Sequence, residues 1–230
     1  AAMLRALERH YGPLRHAQVI SNGRSPERFR PAAKEPFVVA AGRIWDEAKN
    51  AAAVARVAPG LPWPVFVAGE AMEPGSGSGL GSGSRSGSGE AFPLSPRVAG
   101  GEGWGEGGER VERAATFLGR LRQAEMTSWL SRAAIFAHPA RYEPFGLAVL
   151  EAALSGCALV LGDLDSLREN WDGAAIFVPP RDDDALAARL TELASNGPLR
   201  NALAARARSR ALELGADRMA ARYLELYGTL

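Results

Sequence analysis

From residue 115 onward, short apolar runs alternate strictly with helical segments, and this constrains the fold more than any other feature of the chain. ATFLG, AIFAHP, ALVLGD and AAIFVPP read as strands. QAEMTSWLSR, FGLAVLEAALSG, SLRENW and DDALAARLTELASN read as the helices that follow them. Upstream, EPFVVAAG, the helical EAKNAAAVARVAP and PVFVAGE (64–70) extend the pattern. None of these strands has a polar face. That predicts an α/β fold, a parallel sheet covered by helices on both sides. Open sheets of this kind take ligands in the crevice at the carboxyl ends of their strands.

The remaining stretches fill in the organisation. Residues 1–11 read as the last turns of a helix stopped by Gly12-Pro13. Residues 16–31, HAQVISNGRSPERFRP, read as a short strand, an Asn-Gly turn and an extended segment. The tail from Gly197 reads as two helices. Residues 72–110 are dominated by Gly and Ser and cannot bury enough surface to offset their ordering entropy, so a flexible insertion is expected there. Loop-closure entropy grows only logarithmically with length, so a fold can survive such an insertion.

Composition narrows the partners. A formal charge of +1 argues against duplex nucleic acid. A single cysteine, Cys157, excludes an internal disulfide and fits a reducing compartment. It sits among small apolar residues, where a packed, inert thiol is expected. No stretch approaches the ~20 apolar residues of a membrane span, and no signal peptide is evident. His10, His16 and His138 are too scattered to suggest a zinc site. No P-loop and no nucleophile elbow occur.

The most specific local pattern is ARYEPFGLAVLEAALSGCALVLGD at 140–163. Pro144 holds Glu143 extended and suits a helix entry. Gly146 allows close approach of a ligand where the first helical N–H groups are unpaired. If 143–151 were helical throughout, Glu151 would lie roughly 12 Å along the axis and about 80° around it from Glu143. Two carboxylates would then flank a helix N-terminus, a natural phosphate site. This layout fits a nucleotide-sugar, with hydroxyls at both ends and phosphates between. Arg43 and Lys49 flank the loop after the first strand, where they could neutralise a diphosphate.

EPFGLAVLE, with Glu143 and Glu151 separated by seven residues, resembles the signature of the retaining glycosyltransferases of family 4, which have the GT-B architecture of two facing Rossmann-like domains. VVAAGRIWDEAKN (38–50) resembles that family's first strand and phosphate loop, with the lysine one residue farther from the arginine than in most members. ATFLGRLRQAEMTSWLSRAAIFAHP (115–139) resembles its base-reading loop, short helix and strand. The resemblance implies one GT-B half: residues 1–30 as a remnant of an acceptor domain and the interdomain connection, and 31–230 as a Rossmann-like nucleotide-sugar-binding domain. It implies that Glu143, Arg43 and Lys49 act in catalysis. Glu151 would take the ribose hydroxyls. Gly146 and Leu147 would offer amides to sugar and phosphate, beside Phe145 and Gly42. Gly119, Arg120 and Leu121 would grip the base through backbone groups. The mechanism implied is front-face substitution with retention, using no cofactor and no metal. The acceptor, saccharide or lipid-linked, would need a domain missing from this chain. The chain alone is therefore expected to transfer sugar poorly or not at all. The family implies a cytoplasmic site, peripheral at the inner membrane face.

Plainer readings stand beside these. Glu151 could lie on a solvent stripe, Gly119–Leu121 could be a simple turn, and Arg43 and Lys49 could be surface cations. Ser166 and Glu169 have capping-box spacing. His138 reads as a satisfied or solvent-facing histidine, and the basic run RARSR (206–210) as one solvated side of a helix. The competing function is a non-catalytic nucleotide-sugar-binding or interaction module of the same fold. A sugar-phosphate isomerase or epimerase is a third.

Overall fold

In a computed structural model, residues 2–70 and 114–228 are described. The predicted insertion at 72–110 lies outside them. Six strands form one sheet: β1 (Glu35–Ala41), β2 (Val65–Ala68), β3 (Thr116–Gly119), β4 (Ala133–His138), β5 (Ala158–Gly162) and β6 (Ile176–Val178). Their order is β3-β2-β1-β4-β5-β6 and every pairing is parallel. The direction of strand order reverses between β1 and β4, which opens a crevice at their carboxyl ends.

Period-two alternation sorts the strand side chains onto two faces. Phe37, Val39, Phe66, Phe136, Leu159 and Leu161 belong to one core cluster, shared with Leu130, Leu150, Leu154 and Trp171 of three helices. These are α3 (Gln123–Arg132), α4 (Leu147–Leu154) and α5 (Asp165–Trp171). Val38, Ala40, Val65, Val67, Ile135 and Val160 belong to the other, with Val54 of α2 (Ala51–Val57) and Leu186 and Leu190 of α6 (Asp183–Ser195). Both faces of β1, β2, β4 and β5 are covered, which is why these strands are apolar on each side, whereas β3 at the edge is exposed, with Phe117 at 53%. The rings of Phe37, Phe66 and Trp129 meet with centroids 4.7–5.6 Å apart and fix β1 and β2 against α3.

Helix α4 is buried through Val149–Leu154, so its AVLEAAL composition is apolar all round rather than amphipathic. Its carboxyl end is met by α7 (Gly197–Leu212), from which Arg208 donates to the Leu154 carbonyl at 3.3 Å. Within the RARSR run, Ala207 is core and Arg208 turns inward, so the run is not a uniformly solvated side. Helices α1 (Ala2–Tyr11) and α8 (Ala216–Gly228) occupy the two ends of the described chain. Cys157 is buried. Desolvation raises its thiol to about 11, against the opposing charge and hydrogen bond of Lys34, as expected for an inert thiol.

Three further expectations differ from the structure. Residues 16–31 contain no strand; a lone bridge, Arg24 with Gly215, and a 3₁₀ turn at Pro26–Arg28 replace it. Helix α2 starts at Ala51 rather than at Glu47, because Asp46 organises a competing turn. Its Oδ1 accepts from Ala48 N at 3.0 Å and its carbonyl accepts from Lys49 N at 3.0 Å. Ser166 does not cap α5. Its hydroxyl donates to the Glu143 carbonyl, and Glu169 accepts from the Ala2 amide.

Candidate functional site

The site is built where the β1–α2 loop meets the β4–α4 loop. Arg141 N and Tyr142 N both donate to Ala48 O, at 2.8 and 3.2 Å, and stitch the two loops together. Asn50 adopts the left-handed backbone region (φ 53°) and donates its side-chain amide to Pro139 O and Pro180 O at 2.9 and 2.8 Å. The β4–α4 loop and the loop after β6 are thereby both tied to the start of α2. This clamp carries Lys49 onto Glu143, with Nζ 2.8 Å from Oε2.

Glu143 is the centre of the arrangement. Oε2 also faces His138 Nε2 at 3.1 Å, while Oε1 accepts from Gly146 N at 2.9 Å. Strand parity puts His138 on the face of Phe136, whose ring it stacks on at 6.1 Å, and it is only 3% exposed. Gly146 is the N-cap of α4 with φ 86°, a conformation that side chains resist, and the helix starts only at Leu147. Residues 143–146 therefore form a turn, so the helical geometry extrapolated from Glu143 to Glu151 does not hold. Glu143 itself takes the Gly146 amide, and the amides at the start of α4 lie beyond it.

Burial raises the Glu143 carboxyl, but hydrogen bonds from His138 and Lys49, and their charge, outweigh it and hold the group at about 2. The folded value lies below the 4.5 of a free glutamate. The associated stability is complete above that pH and is lost as pH falls towards 2. After solvent screening it amounts to ~2 kcal/mol. Glu143→Gln is therefore expected to cost stability at neutral pH and progressively less on acidification. Urea unfolding from about pH 6 down to about pH 2.5 measures this, and a stability gap unchanged across that range contradicts the assignment.

Gly42, Arg43, Arg120 and Leu121 line a cleft of about 440 Å³ with Ala41, Ala68, Gly69, Glu70 and Met126, at the carboxyl ends of β1 to β3. Arg43 reaches Asp46 Oδ2 at 2.7 Å and lies 4.8 Å from the Trp45 ring centroid. Gly119 ends β3 in a left-handed turn, and its carbonyl accepts from Gly69 N at 2.8 Å. Phe145 packs partly against the core and Leu147 is exposed. Glu151 lies elsewhere on α4. It is 7% exposed, not on a solvent stripe, and Oε1 accepts from Arg24 Nε at 2.8 Å. Arg24, Asp46 and Asn50 join the site without having been expected from the sequence, and His138 faces Glu143 rather than solvent. Only the Asp three residues after Arg43 had a local signal. Among the described residues no cluster of His, Cys, Asp and Glu could hold a metal ion, and no helix is long and apolar enough to cross a membrane.

Comparison with known proteins gives these features a context. Residues 109–210 match the family model described as Glycosyl transferases group 1. An 81-residue stretch is 41% identical to glycogen synthase of Mycobacterium tuberculosis, covering 34% of this chain and 20% of that protein. Over 117 residues the chain is 32% identical to phosphatidyl-myo-inositol mannosyltransferase of Mycolicibacterium smegmatis, covering 50% and 30%. These matches span less than a third of the relatives' own lengths. Among solved structures, sucrose-phosphate synthase from Thermosynechococcus elongatus superposes with a TM-score of 0.73 at 20% identity, over 98% of this chain and 55% of that one. Anabaena HepE, solved with UDP and glucose, gives 0.74 at 15% identity over 99% and 61%. At such identities the superpositions establish the fold, a Rossmann-like sheet matching GT-B glycosyltransferase structures. The chain thus has a Rossmann-like sheet that superposes on part of GT-B glycosyltransferase structures and, across residues 109–210, matches the model of the glycosyl transferases group 1.

Proposed function

We propose that this chain is the donor-binding half of a retaining glycosyltransferase of family 4, which moves a sugar from a nucleoside diphosphate to a saccharide or lipid-linked acceptor. One observation carries the reading: the Lys49–Glu143 pair stands at the amino end of α4, where strand order reverses. In this reading the base enters the cleft beside Arg120 and Leu121, and the diphosphate lies between Arg43, Lys49 and the first amides of α4. Glu151 accepts from the ribose hydroxyls, and Glu143 faces the donor sugar. Negative charge builds on the diphosphate as the glycosidic bond breaks, and fixed cations and amides stabilise it without a metal or cofactor. Retention follows from front-face attack. The acceptor site and a peripheral cytoplasmic membrane location belong to the same proposal.

Calorimetric titration of the 230-residue chain with UDP, GDP and ADP, each against its monophosphate, tests it. The preferred diphosphate is expected to bind at least ~10-fold tighter than the monophosphate, as one added charge-assisted contact requires. Equal affinity for both would remove the diphosphate from the site. A non-catalytic module is the second reading, and the internal pairing of Arg43 with Asp46 and Glu151 with Arg24 favours it. Binding without sugar transfer by the longest polypeptide of the same reading frame would select it.

A further inference from the structure

We propose that Arg24 is a positioning residue of the donor site: it holds one oxygen of Glu151 so that the other is presented to the hydroxyls of the nucleoside's ribose. The inference rests on the reading of Glu151 as a ribose contact and goes beyond it by naming what sets that carboxylate.

Glu151 is a charge in an otherwise apolar helix, and an ionised carboxylate in such surroundings requires a partner. Its partner comes from 127 residues away, with Arg24 Nε 2.8 Å from Oε1. The arginine is itself held at both main-chain groups. Arg24 N donates to Leu214 O at 3.1 Å, and Arg24 O accepts from Ala216 N at 3.2 Å. This clasp pins the segment after α1 to the junction between α7 and α8. It needs glycine at the preceding position, because a Cβ on Gly23 would stand 2.4 Å from Gly215 O. The main-chain clasp fixes where the Arg24 side chain departs, and its Nε–Oε1 contact engages one of the two Glu151 oxygens. Oε2 makes no hydrogen bond to the protein among the described residues and is left for a hydroxyl donor. A guanidinium is suited to this work, since it stays charged and its planar fork orients a carboxylate.

A diol reader and a mere structural tie differ in one measurable respect, discrimination between nucleotides with and without ribose hydroxyls. The test compares the tightest-binding of UDP, GDP and ADP with its 2′,3′-dideoxy analogue, by calorimetry on wild type, Arg24→Gln, Arg24→Lys and Glu151→Gln. Wild type is expected to favour the ribonucleotide by at least ~10-fold. Arg24→Gln and Glu151→Gln are expected to reduce that ratio to within about 3-fold while leaving dideoxy affinity unchanged, and Arg24→Lys to restore part of it. Thermal melts restrict the comparison to folded variants, and Arg24→Lys serves if Arg24→Gln does not fold. If Glu151→Gln keeps the full ratio, the ribose reading fails and this inference with it. If Glu151→Gln loses it and Arg24→Gln does not, the inference alone is overturned. Equal weakening of both analogues by the Arg24 variants also overturns it, and binding of none of the three diphosphates overturns the donor-site reading itself.

Discussion

Lys49→Ala is expected to weaken nucleoside diphosphate binding by roughly 10- to 100-fold, the loss that follows removal of one charge-assisted contact to phosphate. The same substitution strips Glu143 of its closest cation. Glu143 is 11% exposed and Lys49 28%, so the pair is largely sheltered from solvent. Leaving the carboxylate with His138 and the Gly146 amide is expected to cost ~2 kcal/mol of stability as well. The two effects are separable. Glu143→Gln relieves the stranded charge, so a double-mutant cycle on unfolding free energy should show coupling of ~1–2 kcal/mol between positions 49 and 143. Calorimetry of the folded variants then reads the ligand effect. Unchanged diphosphate affinity in folded Lys49→Ala would mean that the lysine serves only the protein.

Phe136→Ala is expected to be the most damaging single change to the scaffold. Phe136 lies fully buried in β4, the strand beside the point where strand order reverses, and its ring backs His138. Truncating a buried phenylalanine removes its transfer free energy and leaves a cavity that a packed sheet fills poorly, together ~3–5 kcal/mol. In urea this should appear as a lower midpoint with an unchanged slope. Because the cavity opens beneath His138, the contact that helps hold Glu143 ionised should also loosen. The acid limb of unfolding would then shift to higher pH in Phe136→Leu, a variant expected to stay folded. If Phe136→Ala costs under about 1 kcal/mol, the core assignment of β4 is wrong.

Both predictions join residues that the sequence treats unequally. Gln123–Arg132, Ala133–His138 and Ala158–Gly162 coincide with segments read from apolar runs and periodicity, because their periods encode burial on one or two faces. The residues 43–50 are different. Local pattern suggested a helix from Glu47, whereas Asp46 stabilises a turn first, a contest between two local structures that composition does not decide. The segment 16–31 forms no strand; its one ladder contact is the bridge of Arg24 with Gly215, a partner far away in the chain.

The same limit applies to the site. The spacing of Glu143 and Glu151 marked both as candidates, but their partners come from other parts of the chain. Lys49 reaches Glu143 across 94 residues and Arg24 reaches Glu151 across 127. His138 carries no local sign that it will face Glu143, since that follows from strand parity and from the turn at 143–146.

The amino-acid sequence by itself determined that this chain forms a parallel sheet sandwiched by helices, and which loops gather at its carboxyl edge. Burial has a period, and the order of strands and helices is written along one dimension. Only the tertiary structure decided which charges neutralise one another, because each such pairing is a distance across the fold. A buried carboxylate takes whichever cation the packing brings within about 3 Å.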